Sequence, residues 1–250
     1  MSNDGSGSRP AYVWSSATVG SEGGPLLVCA ADAFSNWGGA VHGTDYELDP
    51  ACDYARAWSA VHPCDDDDEL EAAFVRFGDR REHGGLIWEM DGEGSAEIAL
   101  AGDDGFLLMR SWVPRDRTNA PHRRAAGASA AEEEEVGVLE LRSGQVVVVW
   151  AAVGANEIGS FVTPQENDSS LSALTRLNPP VQLNLDHRLG VGTVLWVKPG
   201  TYRVTCGWHE GTRGRYMPEE EWYGSPQPSA DDDWSCRWVR FTPSDDFTKA

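Results

Sequence analysis

Lysine is nearly missing from this chain: only Lys198 and Lys249 occur, and Lys and Arg together number 20 against 40 Asp and Glu. The formal net charge is −20 and the pI is near 4.5. Such a surface repels phosphate, which excludes nucleic acid and anionic membranes as partners and favours basic proteins. Long apolar runs are lacking too, and no stretch approaches the roughly 20 apolar residues that span a bilayer. Residues 1–9 form a polar Ser/Gly stretch without the apolar centre of a secretory signal peptide. The expectation is a soluble, cytoplasmic protein. Five cysteines (Cys29, Cys52, Cys64, Cys206, Cys236) are an odd number spread over a long chain, which reads as free thiols rather than a disulfide framework.

Catalytic signatures are also absent. There is no G-x-S-x-G, no Walker lysine motif and no G-x-G-x-x-G between a strand and a helix. Cys52, His62 and Cys64 lack paired metal-ligand spacing, and the run Asp65 to Asp68 lacks the glycine and terminal glutamate of a calcium loop. The six histidines (His42, His62, His83, His122, His187, His209) fall mostly in expected loops. Cys206 alternates with Tyr202, Val204 and Trp208 as a core strand residue would. The residues therefore point to a protein that is not an enzyme and needs no cofactor or metal.

What the chain does have is large apolar side chains, with 11 Trp, 7 Phe and 6 Tyr, enough to bury a core despite the charge. Leu26 to Cys29, after Gly23-Gly24-Pro25, reads as a buried strand, and Asp32 as the cap of a short helix ending near Trp37. A helix is expected from Asp49, capped by that residue and opened by Pro50, with Ala51, Tyr54, Ala55, Trp58 and Val61 on one face. Leu70, Ala73, Phe74 and Phe77 recur at helical spacing and predict a second helix closed by Gly78. Leu86 to Met90, Ala96 to Ala101 and Phe106 to Val113 then read as an antiparallel meander, turned by Asp91-Gly92-Glu93-Gly94 and Gly102-Asp103-Asp104-Gly105.

In the later part, 136–141, 145–152, 181–185, 193–197, 201–208 and 234–241 are candidate strands, with turns at Ser143-Gly144 and Pro199-Gly200. The expected fold is α+β: an N-terminal region with two or three short helices and an antiparallel meander, then a strand-rich β-sandwich-like region. The expected division is a disordered tail over 1–10, an α+β region over 11–113, a linker or long exposed loop over 114–135, and a β region over 136–250. No strong internal repeat is visible, although GGLIWEMD and VGVLELRSG share a rhythm that a divergent duplication would produce.

The acids come in runs, at Asp65 to Glu69, Glu132 to Glu135, Glu219 to Glu221 and Asp231 to Asp233. Trp222 lies beside the third run, and aromatic anchors within an acidic rim suit a protein-binding surface. The candidate contact residues are Asp65, Asp66, Asp67, Asp68, Glu69, Glu219, Glu220, Glu221, Trp222, Asp231, Asp232 and Asp233. Each run can equally be a solvated face that keeps the protein soluble.

One stretch is more specific. Gly23, Gly24, Pro25, Leu26, Leu27, Val28, Trp37 and Gly39, followed by Asp53, Tyr54, Arg56 and Ala57 in a D-Y-x-R-A arrangement, resemble the immunity protein 21 family of bacterial polymorphic-toxin systems. The hairpin ending at Gly102-Asp103 and the segment Pro199 to Val204 are similar to later parts of that family. The resemblance covers roughly residues 12 to 113. It implies a cytoplasmic, non-enzymatic protein that binds and neutralises a cognate protein toxin, a basic nuclease being the toxin that this charge fits. A small-ligand or carbohydrate-binding β-sandwich module is the alternative from the strand pattern, and a hydrolase the third.

Overall fold

In the computed structural model the described residues are 12–63, 70–112, 123, 126, 133–158, 179–185, 188–209 and 235–244. The fold is mostly β, with two six-stranded antiparallel sheets packed face to face. The elements in order are β1 (Val13–Ser21), β2 (Leu26–Ala30), α1 (Ala31–Phe34), α2 (Asp53–Val61), β3 (Ala72–Phe77), β4 (His83–Trp88), β5 (Gly94–Leu100) and β6 (Phe106–Trp112). They continue with β7 (Glu134–Leu141), β8 (Gln145–Trp150), α3 (Ala155–Ile158), β9 (Val181–Leu185), β10 (Arg188–Trp196), β11 (Gly200–His209) and β12 (Ser235–Pro243).

The first sheet runs β1-β5-β6-β12-β11-β7 and the second β3-β4-β2-β8-β10-β9. Exchanging β1 to β6 for β7 to β12 reproduces both orders in reverse, so the strand topology has a pseudo-two-fold axis relating the two halves. The registers agree: Ser21 faces Gly94 and Val19 faces Ala96, while Leu141 faces Gly200 and Leu139 faces Tyr202. Both pairings also carry an irregularity further along, between Trp14 and Thr18 in one and between Val204 and Thr205 in the other. The axis passes between β2 and β8, where Val28 faces Val148, and between β6 and β12, where Leu107 faces Arg240. Here β4 corresponds to β10 and β7 to β1, so GGLIWEMD and VGVLELRSG, whose rhythm is shared, are not the equivalent strands.

The stretches on either side of 114–135 therefore contribute to both sheets and to one core. Val19, Ile98, Phe106 and Val204 from the first sheet meet Leu26, Leu86 and Val148 from the second, all fully buried. Each such side chain contributes about 1.5–3 kcal/mol through burial. The sandwich is pinched at both edges: Gln182 Nε2 donates to the Thr18 carbonyl at 3.1 Å, and Phe74 lies so close to Gly137 that a Cβ there would stand 2.7 Å from its ring.

Several local expectations change. Leu70 to Phe77 is no helix: Ala72–Phe77 is an edge strand paired with β4, because its β-branched and aromatic residues fit the pleat and the tertiary pairing overrides the helical spacing. α1 follows Ala30, not Asp32, and α2 begins at Asp53 rather than near Asp49. Cys52 caps α2, its Sγ accepting from the Ala55 N–H at 3.3 Å, while Asp49 Oδ1 accepts from the Ala51 N–H at 2.8 Å within the preceding turn. The buried face of α2 is Asp53, Ala57 and Val61, so the stripe is rotated and Trp58 is 43% exposed.

The meander is broken as well, since β4 lies in the second sheet while β5 and β6 form a hairpin in the first. Asp91, Gly92 and Gly94, all at positive φ, turn the chain from one sheet to the other instead of closing a hairpin. The turns at 23–25, 143–144 and 199–200 do the same.

Candidate interaction surface

All twelve candidate contact residues, Asp65, Asp66, Asp67, Asp68, Glu69, Glu219, Glu220, Glu221, Trp222, Asp231, Asp232 and Asp233, lie outside the described residues, as do residues 169–176, whose sequence reads as a short helix. The remaining acid run is split. Glu133 points inward: Oε1 accepts from Trp238 Nε1 at 2.8 Å and Arg240 Nε at 2.7 Å, and Oε2 accepts from the Thr205 hydroxyl at 2.7 Å. Glu134 and Glu135 stay exposed.

The expected linker is therefore docked at its described positions. Ala126 is fully buried with Leu107, Met109, Cys236 and Trp238 on the outer face of the first sheet. Arg123 Nε donates to Glu97 Oε1 at 3.1 Å, with its guanidinium 5.0 Å from the Trp14 ring. An alanine-rich stretch carries little periodicity, so only the sheet beneath it reveals this contact.

A surface that the sequence reading missed lies at 41–51. Every residue there is exposed, yet the backbone is ordered as a finger: His42 bridges Leu48, Gly43 N–H donates to the Glu47 carbonyl at 2.8 Å, and Asp49 N–H donates to the Val41 carbonyl at 2.7 Å. Tyr46 sits at its tip with φ +60° and 89% exposure. Asp45, Glu47 and Asp49 flank it, and none of the ion pairs among the described residues involves them. Of the described arginines, Arg56, Arg123, Arg142, Arg237 and Arg240 pair with other acids. The signal that could have found the finger is H-G-T-D-Y-E-L: a glycine turn between short segments with no core-forming period.

The finger leads into α2, where Tyr54, Trp58 and His62 stand at successive four-residue steps. Ring centroids are 6.5 Å apart for Tyr54 and Trp58, and 4.1 Å for the stacked Trp58 and His62. Beneath them, at the end of β4, Glu89 is 4% exposed. Its Oε1 accepts from the Met90 and Asp91 N–H groups at 2.9 and 3.0 Å, while Oε2 has no hydrogen-bond partner and faces His62 Nε2 at 3.9 Å. Burial pushes the Glu89 carboxyl above its ordinary range, partly offset by His62 and the two N–H groups. A lone acid inside the apolar segment LIWEM is the sequence signal that was passed over.

Trp37, Gly39, Asp53 and Tyr54 of the family-like motifs have structural contacts beside the second sheet. Trp37 Nε1 donates to the Ala151 carbonyl at 2.9 Å, and Ala40 N–H to the Ala152 carbonyl at 2.8 Å, so this loop ties the first repeat to the second. Gly39, at φ +67°, lies against the Gly154 backbone. Asp53 Oδ2 accepts from the Gly38 N–H at 2.7 Å and Oδ1 pairs with Arg56. Tyr54 fills the space over Gly24.

Between the sheets, Arg110 and Arg237 face each other across β6 and β12. Arg237 pairs with Asp91 and Arg110 donates to the Glu93 carbonyl at 2.6 Å, with both guanidiniums near the Trp112 ring. Cys29, Cys52, Cys206 and Cys236 are free and buried, and burial pushes the Cys206 and Cys236 thiols up to about 12. Among the described residues no group of three or more His, Cys, Asp or Glu could hold a metal ion, and no helix is long and apolar enough to cross a membrane. In comparison with known proteins the chain matches no family model, no curated protein and no solved structure.

Proposed function

We propose that this chain is a cytoplasmic, immunity-type protein that binds and neutralises a cognate protein toxin through a non-enzymatic, acidic interface. The observation that carries the reading is the finger at 41–51, ordered by its own backbone bonds, with Tyr46 exposed between three acids that take part in none of the ion pairs among the described residues. A pre-ordered acidic element loses little conformational entropy on docking, and an exposed aromatic supplies contact area at low cost. The partner that fits is a basic protein. A nuclease must hold phosphate in a cationic cleft, and the net charge of −20 would steer this chain into it, faster at low salt than at high.

The test is co-expression with the toxin encoded beside it, together with size-exclusion chromatography of the mixture. Rescued growth and a co-eluting complex are expected. Continued killing with no complex would overturn the reading.

A further inference from the structure

The two seams where the sheet edges meet are equivalent under the pseudo-two-fold axis, yet they are closed differently. In one half Val28 faces Leu86, which faces Phe74; in the other Val148 faces Thr193, which faces Gln182. Phe74 and Gln182 are therefore counterparts. So are Val138 and Thr18, each one residue before the matched Leu139 and Val19. Gln182 Nε2 donates to the Thr18 carbonyl at 3.1 Å and caps the free edge of β1. Phe74 packs its ring on Gly137 and has no N–H to give, so the matching carbonyl of Val138 receives no such cap.

β7 is the last strand of its sheet, and Val138 in it is 55% exposed, with Phe74 at the same seam 38% exposed. An eight-residue edge of this kind is a template for another strand unless charges guard it. Glu134, Glu135 and Glu140, all exposed, do guard it, because like charges directly opposite across a ladder are destabilising. One pairing escapes the guard. When β7 runs antiparallel to β7 of a second copy about Val138, valine faces valine, Val136 faces Glu140, Glu135 faces Leu141, and Glu134 faces Arg142. Arg142 stands just past the strand end with its side chain 79% exposed. Centring the pair on Glu140 instead would set two glutamates against each other, and centring it on Val136 would use the residue that the ladder with β11 skips.

We propose that the protein forms a two-fold homodimer through β7, which joins the first sheets of two copies into one continuous sheet. Val138 meets its own copy on the outer face. On the inner face each Phe74, seated on Gly137, comes to the junction. Arg142, whose Nε donates to Glu140 Oε1 at 2.7 Å, reaches across to Glu134 of the second copy. The contact is isologous and closes at two copies. Strand pairing of this extent buries less than a standard interface, so a dissociation constant of about 10–100 µM is expected. The net charge of −20 on each copy opposes association and is screened by salt. The dimer should therefore tighten as salt is added, opposite in sense to docking on a basic partner.

Sedimentation velocity on the full-length protein from about 2 to 200 µM, at about 0.15 and 0.5 M NaCl, reads the equilibrium without any toxin. A monomer–dimer transition that tightens about threefold or more at the higher salt is expected. Val138→Glu sets two carboxylates face to face and should weaken the dimer about tenfold or more. Val13→Glu, at the 71% exposed start of β1 on the other edge, should change it less than about twofold. Both positions are exposed, so at the lowest concentration the melting temperature should stay that of the parent. Arg142→Glu should weaken the dimer about threefold, and adding Glu134→Arg should restore it, a rescue that depends on this register. A protein monomeric at both salts, a dimer indifferent to Val138→Glu, or a double variant no tighter than Arg142→Glu alone would overturn the interface.

Discussion

Removing the Glu133 carboxylate should destabilise the protein sharply, although the residue belongs to an acid run that reads as surface. The carboxylate takes hydrogen bonds from Trp238, Arg240 and Thr205, and the Glu133 and Arg240 side chains are only 7% and 12% exposed. Glu133→Ala leaves a buried guanidinium without its counter-charge, together with an unpaired indole N–H. Breaking a buried pair from one side costs about 3–5 kcal/mol. Arg240 keeps its bonds to the Tyr12 hydroxyl and the Ala126 carbonyl, which places the expectation near the lower end, at about 3 kcal/mol. For a chain of this length that corresponds to a fall in Tm of about 6–12 °C.

Urea unfolding followed by tryptophan fluorescence, alongside thermal melts, measures it. The double variant Glu133→Leu/Arg240→Leu should recover much of the loss, because removing both charges removes the unpaired one. A shift below about 0.5 kcal/mol for Glu133→Ala, or a double variant as unstable as the sum of the singles, would refute the assignment of a buried, mutually dependent pair.

Glu89 carries a pH dependence of opposite sense to a surface carboxylate. Its carboxyl is held above the ordinary range, mainly by burial, so folding takes up a proton; the resulting stabilisation is complete below about pH 4.3 and is lost as pH rises through the folded value. Glu89→Gln should accordingly have the higher urea midpoint at pH 8, with the advantage gone at pH 4, and equal midpoints at pH 8 would refute this. Gly39→Ala forces a left-handed backbone and drives a Cβ to 2.4 Å from the Gly154 nitrogen, so a loss of about 2–4 kcal/mol should appear in melting curves. In a Cys64→Ser variant the buried thiols, two of them pushed up to about 12, should not react with a thiol reagent at pH 8 until the protein is denatured.

The strands were legible where apolar runs met turn residues: Leu26 to Cys29, Val181 to Leu185 and the β5–β6 hairpin lie where the pattern puts them. What could not be read was where each turn leads. Asp91-Gly92-Glu93-Gly94 has the composition of a hairpin turn, but crosses between sheets because Glu89 and Asp91 are held by α2 and β12, partners remote in sequence. Ala72 to Phe77 misled for a related reason: Phe74, 38% exposed at the edge over Gly137, is apolar like Ala73, Val75 and Phe77 on the opposite face, so the strand shows no clean alternation. The D-Y-x-R-A segment was visible, but its role as the seat of an aromatic row above a buried acid needed β4 brought beneath α2. The two-fold symmetry stayed hidden because it lies in strand order and register, not in side chains.

That two-fold topology lies within a single chain. A symmetric homodimer must present every surface feature twice, so any change that improves one copy is imposed on the other. Joining the two halves in one chain frees them to diverge: the connection from β2 to β3 holds the finger and α2, while the corresponding connection from β8 to β9 starts with the four-residue α3. Among the described residues the finger and the aromatic row thus stand in one half only, on a scaffold of near-two-fold form.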